Sequence, residues 1–372
     1  MEVVFQQRLK ALRDVFVERG IDTLMVMTAE NRRFLSGFTG EDTQFDETAG
    51  ALFISNDKLL LATDSRYDLQ ARAEAPLYEI YCYRESLDKA LPEILHMLQT
   101  ERVGFESSRM SYSRYQSFLD QTKCCSPAIE WVPVKGAVEA LRIRKSETEI
   151  QMIRDALVLA EDVFRSVVRT VRPGDRERDI AWKIEKGMRE SGAESVSFPT
   201  IVASGSNSAL PHAIPGNRPF RIGEPVLFDW GAKLSGYCSD ITRTICIGKP
   251  DPVFQQVFQT VHEAQQKAIE AIRPGISTKQ IDGIARRHIE ENGYRDRFGH
   301  GLGHGVGLAI HEDPRLSPRC DRLLETGMIC TVEPGIYIPG WGGVRLENMV
   351  VVRENGAEVL NSLEVLDSYN GA

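Results

Sequence analysis

The stretch Phe228-Asp-Trp-Gly-Ala-Lys-Leu-Ser-Gly-Tyr-Cys-Ser-Asp240 consists of two strand-like segments joined by the turn sequence Leu-Ser-Gly. A turn centred between residues 234 and 235 predicts an antiparallel pair in which Asp229 faces Asp240, with both side chains on one face. Apolar neighbours on both sides favour burial of the two acids over a solvated acidic edge. Because buried carboxylates repel each other, this hairpin predicts a bound cation.

A second hairpin is predicted in Thr331-Val-Glu-Pro-Gly-Ile-Tyr-Ile-Pro-Gly-Trp-Gly-Gly-Val-Arg-Leu-Glu347. A turn centred on Gly340 sets Glu333 opposite Glu347. The two hairpins then supply four carboxylates, an oxygen-rich set that suits divalent metal ions.

A glycine-rich tract, Phe298-Gly-His-Gly-Leu-Gly-His-Gly-Val-Gly-Leu-Ala-Ile-His311, contains three of the seven histidines of the chain. Its glycines predict close approach of neighbouring backbone. A surface loop that scavenges metal is one interpretation, but the interleaved apolar residues favour a packed strand or turn. A lone histidine here would be interpreted as structural; beside four paired carboxylates, these histidines are interpreted as part of the site.

The part of the chain around these motifs shows an internal repeat. Arg172-Pro-Gly, Ile180 and Gly192 recur 101 residues later as Arg273-Pro-Gly, Ile281 and Gly293. In each copy a Pro-Gly turn would start a helix that ends at a glycine, which predicts a duplicated α+β unit with a site between its halves. Chance recurrence of two Pro-Gly turns is the alternative.

The N-terminal part has the features of a small α/β domain, which we place at residues 1–135. Apolar residues at helical spacing between Phe5 and Phe16 predict a helix, and residues 51–54 and 59–63 predict a hairpin. Ser146 and Glu149 form the capping-box pattern of a new helix, so we assign residues 136–372 to a second domain.

Composition excludes several classes of protein. The chain has 372 residues, 42% of them hydrophobic and 26% charged, as in ordinary globular proteins. A net charge of −8 without basic runs argues against nucleic-acid binding. We find no basic start followed by an apolar core and no apolar run of about 18–20 residues, so we expect no membrane span and a cytoplasmic location.

With these motifs, the chain resembles the creatinase, prolidase and aminopeptidase P branch of the pita-bread metallopeptidases nearly end to end. Weaker matches are Asn31–Gly40 and Thr63–Tyr67 in the N-terminal part, and the specific ones lie in the hairpins and the glycine-rich tract. The resemblance implies an α/β creatinase-like N-terminal domain and an α+β pita-bread catalytic domain with an internal pseudo-twofold duplication.

The resemblance also implies a dinuclear metal site. Asp240 and Glu347 would bridge two divalent ions, Asp229 would complete one ion's ligands, and His304 with Glu333 would complete the other's. Mn²⁺ is the expected metal, with Co²⁺ or Zn²⁺ as alternatives, and Glu333 is also the expected proton shuttle. The match departs from many relatives at Asn348, where they carry an acid.

Further site residues follow from the same resemblance. His212 and His311 would act in catalysis, on the carbonyl oxygen and the substrate. The residues expected to bind or orient the substrate are His300, Arg315, Tyr337 and Arg345. Packing is the alternative role for each, and for Arg315 it is a place on an exposed loop.

The expected activity is hydrolysis of the bond between an N-terminal residue and proline, in peptides with proline at the second position. A prolidase acting on dipeptides is favoured, because Arg315 matches an arginine near the substrate carboxylate of compact prolidases. The alternatives are an aminopeptidase P acting on longer peptides, or a non-peptidase or noncatalytic binding protein on the creatinase fold. A homodimer is expected.

Overall fold

The computed structural model describes residues 2–42, 44 and 47–369 of the chain. These residues form two compact units, 1–142 and 143–372. The domain boundary predicted at residue 135 lies a few residues before this division.

The first unit is a six-stranded sheet flanked by helices. As predicted, the first helix buries Leu9, Leu12 and Phe16, and a hairpin pairs Ile54 with Leu59. The strand order is β4-β3-β2-β1-β5-β6, with parallel pairs β3/β4, β1/β5 and β5/β6. Its elements are α1 (Glu2–Arg19), β1 (Thr23–Val26), α2 (Ala29–Ser36), β2 (Ala51–Ser55), β3 (Leu59–Thr63), α3 (Asp68–Glu74), β4 (Glu79–Cys82), α4 (Leu87–Met97), β5 (Arg102–Glu106), α5 (Tyr112–Thr122), β6 (Glu130–Val134) and α6 (Ala137–Arg142).

The second unit combines four long helices with short strands that pair antiparallel, except for the parallel pair β12/β20. Its helices are α7 (Glu147–Val168), α8 (Glu177–Glu190), α9 (Pro252–Ala271) and α10 (Thr278–Ile289). Its strands are β7 (Ser195–Val196), β8 (Ile201–Ser204), β9 (Pro225–Trp230), β10 (Ala232–Leu234), β11 (Tyr237–Cys238), β12 (Ile241–Ile247), β13 (Gly303–Gly305), β14 (Glu312–Leu316), β15 (Ile329–Val332), β16 (Gly335–Ile338), β17 (Gly342–Arg345), β18 (Asn348–Arg353), β19 (Gly356–Val359) and β20 (Ser368–Tyr369). The sheets are β20-β12-β9-β8, β15-β18-β19, β11-β10-β7, β13-β14 and β16-β17.

Helix α7 begins at the predicted capping box. The Ser146 hydroxyl accepts from the Glu149 amide, and the Glu149 carboxylate accepts from the Ser146 amide. These bonds satisfy donors that have no partner within the helix. Among the helices of the described ranges, none combines the length and apolarity that crossing a membrane requires.

The predicted repeat is present in the hydrogen bonding of the second unit. In the first copy the Gly174 amide donates to the Phe220 carbonyl over 2.9 Å, and in the second the Gly275 amide donates to the Leu324 carbonyl over 2.8 Å. Helix α8 follows the first turn, and helix α10 follows the second at the same spacing. The duplicated α+β unit is thus confirmed as a repeated turn, helix and returning segment.

The two acidic hairpins differ in how well the sequence predicts their register. β16 and β17 pair around Gly340 as predicted, and β15 and β18 continue the same register on the far side of Glu333 and Glu347. The first hairpin is shifted by two residues: Asp229 lies opposite Thr242, so the prediction that it faces Asp240 is wrong.

The shift follows from the turn of that hairpin. Positive φ angles of 51° and 81° place Ser235 and Gly236 at its two central positions. Turns with two positive φ angles match the twist of a hairpin, and glycine fits the second position. The turn is therefore centred one residue later than predicted.

Candidate metal centre

The five residues predicted as metal ligands converge in the second unit, each in a strand or beside one. Asp229 lies in β9, Asp240 directly precedes β12, and His304 lies in β13. Glu333 follows β15 and Glu347 precedes β18, at the point where both strands leave one ladder and enter the next. Asp229, Asp240, His304 and Glu347 are buried, and Glu333 is partly buried.

These side chains are close enough to share an ion. One donor atom from each of Asp240, His304 and Glu347 lies within 4.8 Å of the other two. The His304 Nε2 atom is 3.5 Å from Asp240 Oδ2 and 3.3 Å from Glu333 Oε1.

The orientation of His304 favours a cation between its Nε2 atom and the carboxylates. Its Nδ1 is 3.1 Å from the Gly305 carbonyl oxygen, which can only accept, so Nδ1 carries the proton. Burial lowers the pKa of His304 to about 3, with the nearby His311 acting in the same direction. The neutral ring therefore directs the Nε2 lone pair at two carboxylate oxygens, an arrangement that a cation would stabilise.

The carboxylates show the same need for positive charge. Burial raises the pKa of Asp240, and the nearby Glu347 carboxylate raises it further. Burial likewise raises the pKa of Glu347 and raises that of Glu333 to about 7. Without a cation, this site favours protonated acids.

Two carboxylate oxygens of the site have no hydrogen-bond partner among the described residues. Asp229 Oδ1 and Glu347 Oε1 are buried without a hydrogen-bond partner among the described residues. Unpaired buried carboxylate oxygens are costly, and divalent ions accept a mixed set of oxygen and imidazole ligands. The residue set therefore fits the divalent ions that the resemblance implies.

Two threonines support this site and were missed by the sequence prediction. The Thr242 hydroxyl donates to Glu347 Oε2 over 2.7 Å, and the Thr331 hydroxyl donates to Glu333 Oε1 over 2.9 Å. Thr331 also accepts from the His304 amide over 3.0 Å. Both threonines lie two residues from a predicted ligand, so period-two alternation along a strand was the available signal.

Arg345 is the centre of a hydrogen-bond chain beside the cluster. Its Nη2 donates to Asp229 Oδ2 over 2.6 Å and its Nη1 to the Tyr337 hydroxyl over 2.8 Å. His300 Nδ1 is 2.8 Å from the Gly301 carbonyl and must donate to it, so Nε2 accepts the Tyr337 hydroxyl proton over 2.9 Å. Three of the predicted supporting residues, His300, Tyr337 and Arg345, are therefore linked to Asp229.

Asn348 contacts a buried arginine behind the cluster. Its Oδ1 accepts from Arg243 Nη2 over 3.0 Å, and Arg243 Nη1 also donates to the Glu347 carbonyl. Arg243 is almost completely buried, and burial lowers its pKa to about 10. The neutral Asn348 amide thus provides a dipole where an acid would provide a counter-charge for Arg243.

The remaining predicted residues lie at the exposed side of the site. The His311 ring is 4.5 Å from the His304 ring, centroid to centroid, and is exposed. Arg315 pairs with His304 across β13 and β14, so it lies in a strand rather than a loop. His212 is exposed, and Arg345 Nη1 donates to the carbonyl of the preceding Pro211 over 3.3 Å.

The glycine-rich tract allows the close backbone approach that its composition predicts. A Cβ atom on Gly303 would lie 2.0 Å from the Thr331 carbonyl oxygen, and one on Gly305 would lie 2.2 Å from the Asp313 carbonyl oxygen. Both distances are far below contact. The absence of side chains here brings His304 beside Thr331 and Glu333.

Comparison with known proteins agrees with this architecture. The sequence model of metallopeptidase family M24 matches residues 151–354, and that of the creatinase/prolidase N-terminal domain matches residues 8–144. The Xaa-Pro dipeptidase of Pyrococcus furiosus is 37% identical over 360 residues, covering 96% of this chain and 99% of that protein. An uncharacterized peptidase of Bacillus subtilis is 41% identical over 349 residues, covering 94% and 96%.

Solved structures show the same two-domain fold. An Xaa-Pro dipeptidase from Bacillus anthracis superimposes with a TM-score of 0.91 at 38% identity, over 98% of this chain and 100% of that one. An X-Pro aminopeptidase from Thermotoga maritima gives a TM-score of 0.85 at 35% identity, over 95% and 99%.

The creatinase-like N-terminal domain and the duplicated catalytic domain define a pita-bread hydrolase, which confirms the predicted fold class. The chain belongs to metallopeptidase family M24.

The close approach at Gly303 leads to a first prediction. Gly303→Ala should lower the free energy of unfolding by about 1–3 kcal/mol, because the added methyl group forces β13 away from Thr331. It should also weaken metal binding, since His304 moves with the strand. Thermal unfolding and metal content after dialysis measure the two effects. Gly299→Ala is the control, because a Cβ there meets no atom within 4 Å; equal effects of the two substitutions would contradict the argument.

A second prediction concerns pH. The pKa of Glu333 in the folded protein is about 7, above its ordinary value of 4.5, so the folded metal-free protein holds a proton that the unfolded chain has lost. The stabilisation is present below the ordinary pKa and is lost as pH rises through about 7. Metal-free Glu333→Gln has no carboxyl group at this position, so it does not undergo this pH-dependent loss of stability.

Unfolding midpoints from pH 5 to 8 should therefore show Glu333→Gln gaining stability relative to the unsubstituted protein as pH rises. Comparing the two proteins cancels the titration of their common histidines. Saturating Mn²⁺ should reverse the order at pH 8, because the carboxylate then has a cation to bind. A difference independent of pH in the metal-free proteins would contradict the assignment.

Proposed function

We propose that the protein is a dinuclear-metal peptidase that cleaves the bond between an N-terminal residue and proline. The observation that carries the proposal is the neutral His304 ring, whose Nε2 lone pair faces the Asp240 and Glu333 carboxylates. Such a set of donors is suited to metal ions and has no evident purpose without them.

The proposed ligand roles follow the predicted ones. Asp240 and Glu347 would bridge two ions, Asp229 would bind one, and His304 and Glu333 would bind the other. When bound, the ions supply a Lewis acid for the scissile carbonyl and lower the pKa of water from about 15.7 toward about 7. Mn²⁺ is the proposed metal, with Co²⁺ and Zn²⁺ as alternatives.

The side chains around the ions have separate proposed tasks. Glu333 accepts a proton from the attacking water and passes it to the leaving nitrogen, a role for which a carboxylate beside that water is suited. His212 and His311 lie outside the ligand set, and they donate to the substrate carbonyl as negative charge develops on its oxygen. Arg345 holds Asp229 in place through its direct bond.

The preference for proline is supported by the relatives. A bond before proline is a tertiary amide without an N–H, so a peptidase that binds its substrate as a β-strand handles it poorly. The relatives from Pyrococcus furiosus and Bacillus anthracis are named Xaa-Pro dipeptidases, and they align with nearly the whole of this chain.

Arg315 supports the choice of dipeptides over longer peptides. It is exposed and lies across the strand pair from His304, where its positive charge helps to lower the pKa of that histidine. An arginine beside the ligands can bind the carboxylate of a substrate that ends at its proline. The aminopeptidase alternative remains, since the relative from Thermotoga maritima is named an X-Pro aminopeptidase.

Two wider features are proposed on the same family basis, a homodimer and a cytoplasmic location. Sedimentation of the metal-loaded protein tests the first, and fractionation of the source cells tests the second. A noncatalytic binding protein on this fold is the alternative function, and the complete ligand set argues against it.

The experiment that tests the function combines metal exchange with substrate length. The metal-free protein is loaded separately with Mn²⁺, Co²⁺ or Zn²⁺ and assayed on an Xaa-Pro dipeptide, an Xaa-Pro-Xaa tripeptide and an Xaa-Ala dipeptide. We expect metal-dependent cleavage of the prolyl dipeptide above the others. Asp240→Ala should abolish turnover and reduce bound metal, because its carboxylate serves both ions; a folded variant with normal turnover would refute the dinuclear site.

Separate variants test the two histidines outside the ligand set. His212→Ala and His311→Ala should each retain bound metal and lose about 10²–10³-fold in kcat, the usual effect of removing a donor to a developing oxyanion. Metal analysis and steady-state kinetics on the same samples distinguish this role from that of a ligand. A metal-depleted variant would place its histidine among the ligands instead.

The proposed role of Arg315 is tested by substrate length. Arg315→Ala should raise KM for the dipeptide by at least about tenfold, the loss of one charge-assisted hydrogen bond, while changing KM for the tripeptide little. Arg315→Lys keeps the charge but not the bidentate geometry, so its KM for the dipeptide should lie between those of the unsubstituted protein and Arg315→Ala. Equal losses on both peptides would favour the aminopeptidase alternative.

A further inference from the structure

A buried carboxylate outside the proposed metal site ties together the segment that carries His212. Glu177, the first residue of α8, is completely buried. Its Oε1 accepts from the Ser204 amide over 2.8 Å and from the Ser204 hydroxyl over 2.9 Å. Its Oε2 accepts from the Gly216 amide over 3.0 Å, and the Asn207 side-chain amide donates to both oxygens over 3.2 Å. One carboxylate thus binds both ends of the segment 204–216.

Every contact of this carboxylate comes from a neutral donor. The Ser204 hydroxyl accepts from Arg218 Nη1 over 2.7 Å, so its own hydrogen points to Glu177. Arg218 Nη2 is engaged with Glu224. No ion pair joins Glu177 to a lysine or arginine among the described residues. A buried carboxylate held this way is stable only while its donors stay in place, so the bonds fix the segment as much as the segment fixes Glu177.

The second copy of the internal repeat shows that a helix can start at this position without a carboxylate. Thr278 begins α10 at the position equivalent to Glu177. Its hydroxyl donates to the Cys320 carbonyl over 2.9 Å and accepts from the Arg322 amide over 3.1 Å. Both partners lie on the segment that returns to the turn after β14. A short hydroxyl is therefore sufficient at this position, and the longer carboxylate of the first copy makes the additional contacts with residues 204, 207 and 216.

We infer that Glu177 is a positioning residue, which fixes segment 204–216 and through it sets the place of His212. The inference rests on the proposed function, in which His212 donates to the substrate carbonyl. The Pro211 carbonyl accepts from Arg345 Nη1 over 3.3 Å, so the middle of the segment is held against the site and its ends are held by Glu177. His212 is itself exposed, and the segment's anchors determine where its ring can lie.

The discriminating variant is Glu177→Gln, which keeps the shape and removes one acceptor. Whichever oxygen is replaced, the new NH₂ group meets donors, at Ser204 on one side or at Gly216 on the other, so at least one end of the segment is released. Glu190→Gln is the matched control, because Glu190 lies on the same helix and its side chain is exposed. Asn207→Ala removes a single tether and serves if Glu177→Gln folds poorly.

Hydrogen exchange of the metal-loaded protein tests the tether without reference to activity. In Glu177→Gln, amides of residues 204–216 should exchange at least about tenfold faster, and those of the returning segment of the second copy, 316–324, should not change. Asn207→Ala should give the same pattern to a smaller degree. Unchanged exchange in residues 204–216, or a uniform rise in both segments, would overturn the tether.

A double-mutant cycle tests the route to catalysis. Glu177→Gln should lower kcat for the Xaa-Pro dipeptide about 10- to 100-fold at normal metal content, as expected for a misplaced donor, whereas Glu190→Gln should not. In the His212→Ala background the same substitution should change kcat by less than about twofold, because the group that it positions is already gone. Independent, multiplying losses would overturn the inference. An unsubstituted protein inactive on every Xaa-Pro peptide would instead overturn the proposed function, and the exchange experiment would still decide the tether.

Discussion

Electrostatic repulsion among Asp229, Asp240, Glu333 and Glu347 is the constraint around which the catalytic domain is organised. Arg345 is the only lysine or arginine that forms an ion pair with any of the four within the described residues. Besides the charged Arg315 nearby, the groups around the carboxylates include two threonine hydroxyls and a neutral histidine, whose pKa burial has lowered to about 3. The protein thus leaves much of the negative charge unbalanced, a state that favours divalent ions over protons near neutral pH.

The sequence predicted this site because the position of the turn in each hairpin determines which residues lie opposite each other. Gly340 lies at the centre of the second hairpin, and the placement of Glu333 opposite Glu347, between its two ladders, follows from that position. The first hairpin was misread by two residues, because the turn uses Ser235 and Gly236 rather than Leu234 and Ser235. The error did not remove Asp229 or Asp240 from the site, since a shift of two residues keeps a side chain on the same face.

The sequence did not predict which residues meet across the fold. Thr242 is an ordinary strand residue until the sheets bring it to Glu347, and Thr331 is one until they bring it to the His304 amide. Glu177 lies many residues before the segment that it binds, and its helix-start position is typical of an acid with no further role. The repeat, by contrast, was evident from the sequence, and each half contributes one acidic hairpin to the site.

The glycine-rich tract limits how this centre can be redesigned. Gly301, Gly303, Gly305 and Gly307 each lie where a Cβ atom would meet another group at 2.9 Å or less, whereas His300 and His304 between them contribute side chains to the site. A library intended to alter selectivity should therefore keep these four glycines, together with the proposed ligand His304. Because glycine is required at alternate positions, this tract can offer much less chemical diversity than its length suggests.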